Sequence, residues 1–290
     1  MPPVASPAGS TFPARSEPRE VVELRRLRER QPQLASAIDL QLELLELHRR
    51  MAARVPLPRN YRDVATLGDR LTRDEPLLRF DEISLDWSDA RRLFRDTSDL
   101  LRRFGMMDAA DCQRVQALTR DGHALEPLVR WWYNVAAAPE SAGEPPVEHA
   151  EVFEHALLLA MRPFLSRAAE ALLPRVDCSS WTRGVCPLCK GYPEFAVWPA
   201  DGLRQLVCSR CVGLWRYPEE ACPFCDTCDA SRRRSFTSPS RSYRVDACDE
   251  CRRYLKGFDG RAANRPLMLS FDAIATLPLD AAAIQQGYLG

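Results

Sequence analysis

Apolar residues recur every three or four positions through the first 175 residues of this 290-residue chain. Such spacing is typical of helices that bury one face against a shared core. We therefore predict an all-helical domain, in which Ser88 caps the helix that Gly105 ends and Pro163 kinks or divides the last helix. The segments with this spacing are residues 21–27, 34–45, 88–104, 109–119, 124–137 and 149–173.

The pattern changes at Pro174, after which long apolar runs give way to cysteine, proline, aromatic residues and arginine. Short stretches of alternating character, separated by turn-forming residues, are typical of β-hairpins. Two successive hairpins are thus predicted. Their recognisable parts are, in order, the strand at 195–197, the turn at 199–202, the strand at 203–207, the turn at 237–240 and the strand at 243–245.

Eight of the eleven cysteines form four Cys-x-x-Cys pairs in this second region. One tight turn can aim the two sulfur atoms of a pair at a common point, and two such pairs provide the four-thiolate tetrahedron that zinc or iron accepts. Because each predicted hairpin carries one pair at each end, pairing within each hairpin predicts two closed metal sites. The first would contain Cys186, Cys189, Cys208 and Cys211, and the second Cys222, Cys225, Cys248 and Cys251.

A hairpin of this size cannot bury enough apolar surface to fold alone, so metal binding is expected to supply the folding free energy, about 10 kcal/mol or more. Four thiolates leave no open coordination position, which excludes a hydrolytic metal site and leaves a structural or one-electron role. Iron and zinc accept the same ligands, so both remain open as cofactors. Thioredoxin-type chemistry is disfavoured because it needs one exposed pair at the start of a helix.

These elements give an expected fold class of α plus small β. An N-terminal all-helical domain precedes two tandem metal units, similar to rubredoxin or zinc ribbons, and a C-terminal helical tail packs across the domains because its apolar positions need a surface to cover. The expected boundaries are a disordered leader at 1–18, the helical domain at 19–175, the first metal unit at 176–216, the second metal unit at 217–257 and the tail at 258–290.

The charge balance narrows the range of partners. Forty basic and forty acidic residues leave no net charge, so no overall field draws the chain to nucleic acid or to an anionic membrane. The longest apolar run, residues 156–161, is too short to cross a bilayer, and the leader lacks the apolar core of a secretory signal. We expect a cytoplasmic protein, in which thiols stay reduced and paired cysteines hold metals.

Some residues outside the four pairs leave other functions open. The arginines at 232–234 could follow a phosphate backbone, which would suit a nucleic-acid-binding ribbon, although nearby carboxylates favour a solvated turn. Cys178 or Cys228 could be an additional ligand or the reactive thiol of a redox or sulfur-transfer enzyme, although a spare thiol is the simpler interpretation. Cys112 is expected to be a small core or surface residue, and Trp131 and Trp132 are expected to be core residues although they could line a groove for a partner. Glu151 and His155 are expected to form a solvated pair without a catalytic role.

The cysteine region resembles the FdhE family of formate dehydrogenase accessory proteins. Residues 248–256 read Cys-Asp-Glu-Cys-Arg-Arg-Tyr-Leu-Lys, and Gly-Leu-Arg at 202–204 leads into the cysteine turn at 208–211 as in that family. The tail is similar at 272–280 and at 287–288. The similarity covers about residues 184–290, and the first 175 residues match by helical character alone.

The family usually has glycine directly after several of the cysteine turns, where this chain has Lys190, Val212 and Asp226. A glycine there eases the left-handed conformation that aims amide groups at sulfur. Gly191 and Gly213 lie one residue later, so the turn is expected to shift by one position.

The resemblance implies a function. It suggests a cytoplasmic accessory protein, not an enzyme, that is needed for active respiratory formate dehydrogenase and contacts the catalytic subunit of that enzyme before export. It also implies two rubredoxin-type irons per chain that respond to redox state, with zinc as the other candidate. Binding to nucleic acid and insertion into a membrane are not expected, and the oligomeric state stays open.

Overall fold

The computed structural model describes residues 17–290, so the predicted leader at 1–18 lies almost wholly outside the described residues. Helices dominate the first part of this range, and three short helices follow the sheet near the C-terminus. The helices are α1 (Arg19–Arg30), α2 (Ala35–Ala52), α3 (Val64–Thr72), α4 (Trp87–Arg103), α5 (Ala109–Arg120), α6 (Leu125–Ala137), α7 (Glu154–Leu172), α8 (Gly260–Ala263), α9 (Leu269–Ala275) and α10 (Leu277–Gln285).

Apolar residues of α2 to α7 meet in one core, and α1 packs in a smaller, separate cluster with part of α2 and the tail. α4 lies at the centre of this region and packs against α2, α5 and α7. Phe94 on α4 meets Phe153 edge-on at 6.4 Å between ring centroids, and Tyr133 on α6 is fully buried in the same core, 6.0 Å from the Phe80 ring. Burial of such large aromatic rings contributes much of the stability of a helical core.

Two details of the helical region differ from the prediction. The N-cap of α4 is Asp86, whose carboxylate accepts from the backbone amides of Ser88 and Asp89, so Ser88 is the second residue of the helix. An aspartate satisfies two free amides at once and suits the positive end of the helix dipole. α7 continues through the buried Pro163, so of the two predicted outcomes, a kink or a division, division does not occur.

The strands form one six-stranded sheet with the order β3-β2-β1-β6-β5-β4. β1 and β6 run parallel, and every other neighbouring pair is antiparallel. The two predicted hairpins are therefore joined edge to edge, with Phe195 opposite Lys256 in the central pair. The strands are β1 (Pro193–Trp198), β2 (Gln205–Cys208), β3 (Leu214–Arg216), β4 (Arg233–Thr237), β5 (Tyr243–Cys248) and β6 (Tyr254–Asp259).

The arginines at 232–234 are a correction to the prediction. Arg233 and Arg234 lie on β4, an exposed edge strand, where a solvated turn was expected. The Arg234 guanidinium pairs with Asp249 at 2.7 Å, and Arg233 donates to the Glu219 backbone carbonyl at 2.9 Å. These contacts hold the strand to its surroundings and pair part of each guanidinium with protein acceptors.

The C-terminal tail contacts both the helical region and the sheet. Phe271 on α9 packs with Leu24 and Ile38 from the first two helices, and the Ser270 amide donates to the Glu20 carboxylate at 2.7 Å. On the sheet side, the Asp280 carboxylate of α10 accepts from the Tyr254 hydroxyl and the Lys256 ammonium, both at 2.7 Å.

The fold class expected from the sequence is confirmed, because a helical region is followed by a small mixed sheet and two four-cysteine groups in the C-terminal half. Within residues 17–290, no helix combines the length and the apolar character that crossing a bilayer requires.

Candidate metal centres

The eight paired cysteines meet as two groups of four. The group called the first centre contains Cys186, Cys189, Cys208 and Cys211. The group called the second centre contains Cys222, Cys225, Cys248 and Cys251. In each group the donor sulfurs all lie within 4.8 Å of one another. The pairing within each predicted hairpin is thus the pairing that the fold brings together.

Each cysteine turn closes through backbone hydrogen bonds that need no metal. The Cys186 amide donates to the Gly191 carbonyl at 2.9 Å, and the Cys208 amide donates to the Gly213 carbonyl at 2.9 Å. The second centre repeats the bond, from Cys222 to the Thr227 carbonyl at 2.9 Å. The short Cys-x-x-Cys sequence therefore produces the turn locally, which is why its geometry could be predicted.

The sulfur spacing fits a tetrahedral metal ion. The Sγ–Sγ distance is 3.5 Å between Cys186 and Cys211 and 3.6 Å between Cys189 and Cys208. The matching distances in the second centre are 3.8 Å for Cys222 with Cys251 and 3.7 Å for Cys225 with Cys248. A regular tetrahedron with metal–sulfur bonds of about 2.3 Å has sulfurs about 3.8 Å apart. All four distances lie close to that value.

The pKa shifts of the thiols in the first centre are also consistent with a cation site. Burial raises the pKa of the Cys186 and Cys211 thiols, whereas hydrogen bonds from the neighbouring thiols lower the pKa of Cys189. Four adjacent thiolates would repel one another in a buried space. A metal ion held by Cys186, Cys189, Cys208 and Cys211 would supply the positive charge that lets all four sulfurs be deprotonated together.

The left-handed residue of each turn is not where the prediction placed it. Lys190, Val212 and Asp226 adopt φ values of 56°, 61° and 57°, although none is glycine. The turn therefore does not shift by one residue, because the backbone bond from each first cysteine fixes its length. Gly191 and Gly213 serve close packing instead, since an added Cβ would lie 2.8 Å from Cys208 Sγ and 3.2 Å from Cys211 Sγ, respectively.

The first centre is sealed against the helical region. Its four cysteines are at most 1% exposed. The Leu77 and Leu78 amides donate to the Pro187 and Leu188 carbonyls within the first cysteine turn, each at 3.0 Å. The buried Arg210 guanidinium donates to the Trp132 and Tyr133 carbonyls at 2.7 and 3.2 Å and stacks 3.8 Å over the Trp132 ring.

The second centre faces solvent on one side. Cys222 and Cys248 are buried, but Cys225 is exposed and Cys251 is half-buried. Around it, the Arg252 guanidinium donates to the Gln286 carbonyl of the tail at 2.9 Å, and the Tyr217 hydroxyl donates to the Cys222 carbonyl at 3.0 Å. Solvent, oxidants and chelators can therefore reach the second centre more easily than the first.

Part of the chain is similar in sequence to proteins described as FdhE homologs. The chain is 31% identical to the FdhE homolog of Shewanella oneidensis over 134 residues, which are 44% of each protein, and 34% identical to that of Stutzerimonas stutzeri over 141 residues, 44% of this chain and 46% of that one. It is 24% identical to the Aquifex aeolicus homolog over 204 residues, 60% of this chain and 71% of that one. No family model matches the sequence. The chain thus matches less than half the length of the first two relatives.

A solved structure extends the likeness to the whole fold. The crystal structure of the FdhE protein from Pseudomonas aeruginosa superposes with a TM-score of 0.62 at 22% identity, over 93% of this chain and 91% of that one. The resemblance to the FdhE family is confirmed. The helical region, which matched the FdhE family only by helical character at the sequence level, is therefore part of the shared fold.

The FdhE-like fold leaves the remaining cysteines outside both centres. Burial raises the pKa of the Cys178 thiol to about 11, so it is a poor nucleophile at neutral pH. Cys228 is exposed and its thiol faces the Asp226 carbonyl at 3.7 Å. Cys112 is buried in the helical region, where its thiol donates to the Asp99 carboxylate at 3.3 Å.

The tryptophans lie in or against the core, and Glu151 and His155 are exposed, as expected for each pair. Trp132 is buried in the core and Trp131 packs against it half-buried, while Glu151 and His155 are both exposed. Sequence reasoning missed Arg210, which binds the first centre to α6, and the segment at 77–78. The single signal for Arg210 is its place inside a Cys-x-x-Cys turn, and no local pattern distinguishes residues 77–78.

Proposed function

We propose that this chain is a cytoplasmic accessory protein, not an enzyme, that binds the catalytic subunit of respiratory formate dehydrogenase and is needed to produce the active form. The observation that carries the proposal is the pair of four-cysteine groups set in an FdhE-like fold. A closed thiolate shell can hold a structure or pass an electron, and it offers no position at which a substrate could coordinate.

The two centres are proposed to have different roles, one structural and one that responds to redox state or exchange. The first centre joins the sheet to the helical region and is shielded from solvent, so its metal would hold the two parts together. The second centre exposes Cys225 beside solvent, so its metal would respond to redox state or exchange. The ligands of each metal are the four cysteines that define its centre, and iron of the rubredoxin type, two per chain, or zinc would fit them.

Metal analysis with a visible spectrum of the anaerobically purified protein separates the two metals. Thiolate-to-iron charge-transfer bands with about two irons per chain would support an electron-carrying role. A colourless protein with about two zinc ions per chain would restrict both centres to a structural role. Fewer than about one metal per chain after anaerobic purification would contradict the proposal.

The partner is tested by co-purification from an anaerobic lysate. The wild-type chain is expected to recover the formate dehydrogenase catalytic subunit, and the Cys225→Ser/Cys251→Ser variant is expected to recover less. These two cysteines are the accessible ligands of the second centre, so the variant leaves the sealed first centre in place. A Cys112→Ser variant is the matched control, because that cysteine lies in neither centre. Equal recovery by all three proteins would argue against a role of the second centre in the contact.

The competing functions have less support. The cluster around Arg234 is paired with carboxylates such as Asp249, which weakens the case for a nucleic-acid surface. Cys178 has a raised pKa, which weakens the case for a thiol enzyme that uses it. Absence of binding to single-stranded or double-stranded DNA or RNA at low salt would remove the first of these functions. Ordinary alkylation rates at Cys178 and Cys228 would remove the second.

A further inference from the structure

Residues 286–290 of the tail lie against the cysteine turn that ends at Cys251, and this segment is named the clamp. The Leu289 amide donates to the Arg252 carbonyl at 2.8 Å, and the Tyr254 amide donates to the Leu289 carbonyl at 2.9 Å. These two bonds form a short parallel bridge between the clamp and the chain just after the turn. The clamp therefore holds the backbone that follows a candidate ligand of the second centre.

Side chains on both sides of the same cysteine also bind the clamp. On one side, the Arg252 guanidinium donates to the Gln286 and Gly287 carbonyls at 2.9 and 3.2 Å. On the other side, the Asp249 carboxylate accepts from the Tyr288 hydroxyl at 2.5 Å. The Tyr288 ring also lies 4.3 Å from the Arg252 guanidinium, a cation–π contact that joins the two sides. The last cysteine of the turn is thus held before and after its place in the chain.

The end of α10 directs the clamp towards this turn. The Gly287 amide donates to the Ile284 carbonyl at 2.8 Å, and the Tyr288 amide donates to the Ala283 carbonyl at 3.1 Å. This pair of bonds is a Schellman motif, which needs a left-handed residue, and Gly287 has a φ of 79°. A Cβ there would lie 3.0 Å from Arg252 Nη2, so the glycine also permits the close approach.

The position of the clamp bears on how a metal could leave the second centre. A closed shell of four thiolates has no open position, so a competing ligand can enter only after one sulfur has left. Cys251 is half-buried, and the clamp fixes the chain around it. The other turn is held from a different direction, since the Tyr217 hydroxyl donates to the Cys222 carbonyl at 3.0 Å. Movement of the Cys251 sulfur therefore depends on opening of the clamp.

The clamp bonds are expected to affect this local opening more than the stability of the whole fold. The Arg252 side chain is 49% exposed, and water replaces most of what such a surface contact contributes to global stability. Opening of a few residues needs much less free energy than global unfolding, so one lost bond changes its frequency strongly.

We propose that the clamp controls the rate at which the second centre releases its metal ion. When residues 286–290 leave the turn, the Cys251 sulfur can move out and a competing ligand can enter. The first centre keeps its metal, because its turns contact the helical region. This inference rests on the two metal sites of the proposed function and adds a regulatory role for the tail.

The test measures zinc release from the full-length protein loaded with two zinc ions per chain. Excess pyridylazoresorcinol takes up the released zinc, and its absorbance gives the rate. The wild type is expected to release its zinc in a fast and a slow phase, and Cys222→Ser/Cys248→Ser is expected to lack the fast one, which assigns that phase to the second centre. Arg252→Met should speed the fast phase about tenfold and leave the slow phase unchanged. Deletion of residues 287–290 should speed the fast phase further.

Two further variants separate the clamp from a general loss of stability. Arg261→Met is the matched control, because that side chain is also 49% exposed and pairs with Asp259 outside both centres, so neither phase should change. Arg252→Lys keeps a donor for the clamp carbonyls and should restore part of the slow release. The melting temperature of each point variant should stay within about 3 °C of the wild type.

Three outcomes would contradict the proposal in different ways. Wild-type release rates in both Arg252→Met and the deletion variant, from proteins that bind two zinc ions, would overturn the clamp alone. Equal acceleration of both phases would show general loosening and would also overturn it. Binding of fewer than two zinc ions by the wild type would contradict the proposed function, and this inference with it.

Discussion

The two centres have almost the same sulfur geometry but very different surroundings. Opposite Sγ atoms lie 3.5 to 3.6 Å apart in the first centre and 3.7 to 3.8 Å apart in the second. The cysteines of the first centre are at most 1% exposed, whereas Cys225 in the second is open to solvent. The difference shows that a Cys-x-x-Cys pair determines ligand geometry locally, while distant parts of the chain determine what the metal is shielded from.

The largest expected effect comes from removing ligands from each centre in turn. The Cys186→Ser/Cys208→Ser variant should lose one metal ion and lower the melting temperature by about 10 °C or more, because the first centre lies where the sheet meets the helical region. Cys222→Ser/Cys248→Ser should lose one metal ion as well, but with a drop of only about half as much. Metal analysis and thermal unfolding measure both. Equal drops would mean that the sealed position of the first centre adds nothing to stability.

A smaller difference in unfolding free energy is expected between variants of two arginines, one beside each centre. Arg210 is buried and donates to two carbonyls of α6, whereas Arg252 is half-exposed and donates to carbonyls of the tail. Arg210→Met should cost about 2–4 kcal/mol of unfolding free energy, since two buried carbonyls lose their donor. Arg252→Met should cost less than about 1 kcal/mol because water replaces the lost bonds. Denaturant unfolding of the metal-loaded proteins measures both values, and a larger cost at Arg252 would contradict the comparison.

The glycines beside the first centre give the next effect. A Cβ at Gly191 would lie 2.8 Å from Cys208 Sγ and 2.9 Å from Arg210 Cδ, so Gly191→Ala should cost about 1–3 kcal/mol. The equivalent position in the second centre is Thr227, which already carries a side chain. Thr227→Ala should change stability by less than about 0.5 kcal/mol. The same denaturant measurement applies, and an unchanged Gly191→Ala protein would show that the first centre is less tightly packed than its burial suggests.

The sequence predicted those features that form between residues close together in the chain. The eight cysteines, the helices of the first 175 residues and the position of the sheet all follow from spacing within a few turns of chain. The joining of the two hairpins through β1 and β6 did not follow, because it pairs residues about sixty positions apart and no turn connects them. The contact of residues 77–78 with the first cysteine turn is similarly long-range.

The left-handed turn residues show a further limit of sequence reasoning. Glycine is favoured at such positions by intrinsic preference, so Lys190 and Val212 suggested a shifted turn. In the structure, backbone bonds on both sides of the turn outweigh that preference, and the glycine one residue later relieves contacts with sulfur. The absence of glycine at these positions predicted an unusual turn. Backbone hydrogen bonds and packing determine which residue adopts the left-handed conformation.

The smallest expected effect is a difference in unfolding free energy between two variants that each remove a tyrosine hydroxyl, one beside each centre. The fully buried Tyr133 hydroxyl donates to the Leu78 carbonyl at 2.7 Å, next to the backbone bond that holds the first cysteine turn. The Tyr288 hydroxyl donates to the Asp249 carboxylate at 2.5 Å, beside the second centre. Tyr133→Phe leaves a buried carbonyl without a partner and should cost about 1–2 kcal/mol.

Tyr288→Phe should cost less than Tyr133→Phe, because Arg234 and Arg252 still pair with Asp249 and water reaches that carboxylate. Unfolding free energies of the two variants, with Tyr192→Phe as a control at an exposed ring, measure the difference. A cost at Tyr288 equal to that at Tyr133 would mean that the tail seals the second centre as firmly as the helical region seals the first. In that case the second centre could not be the one that senses solvent.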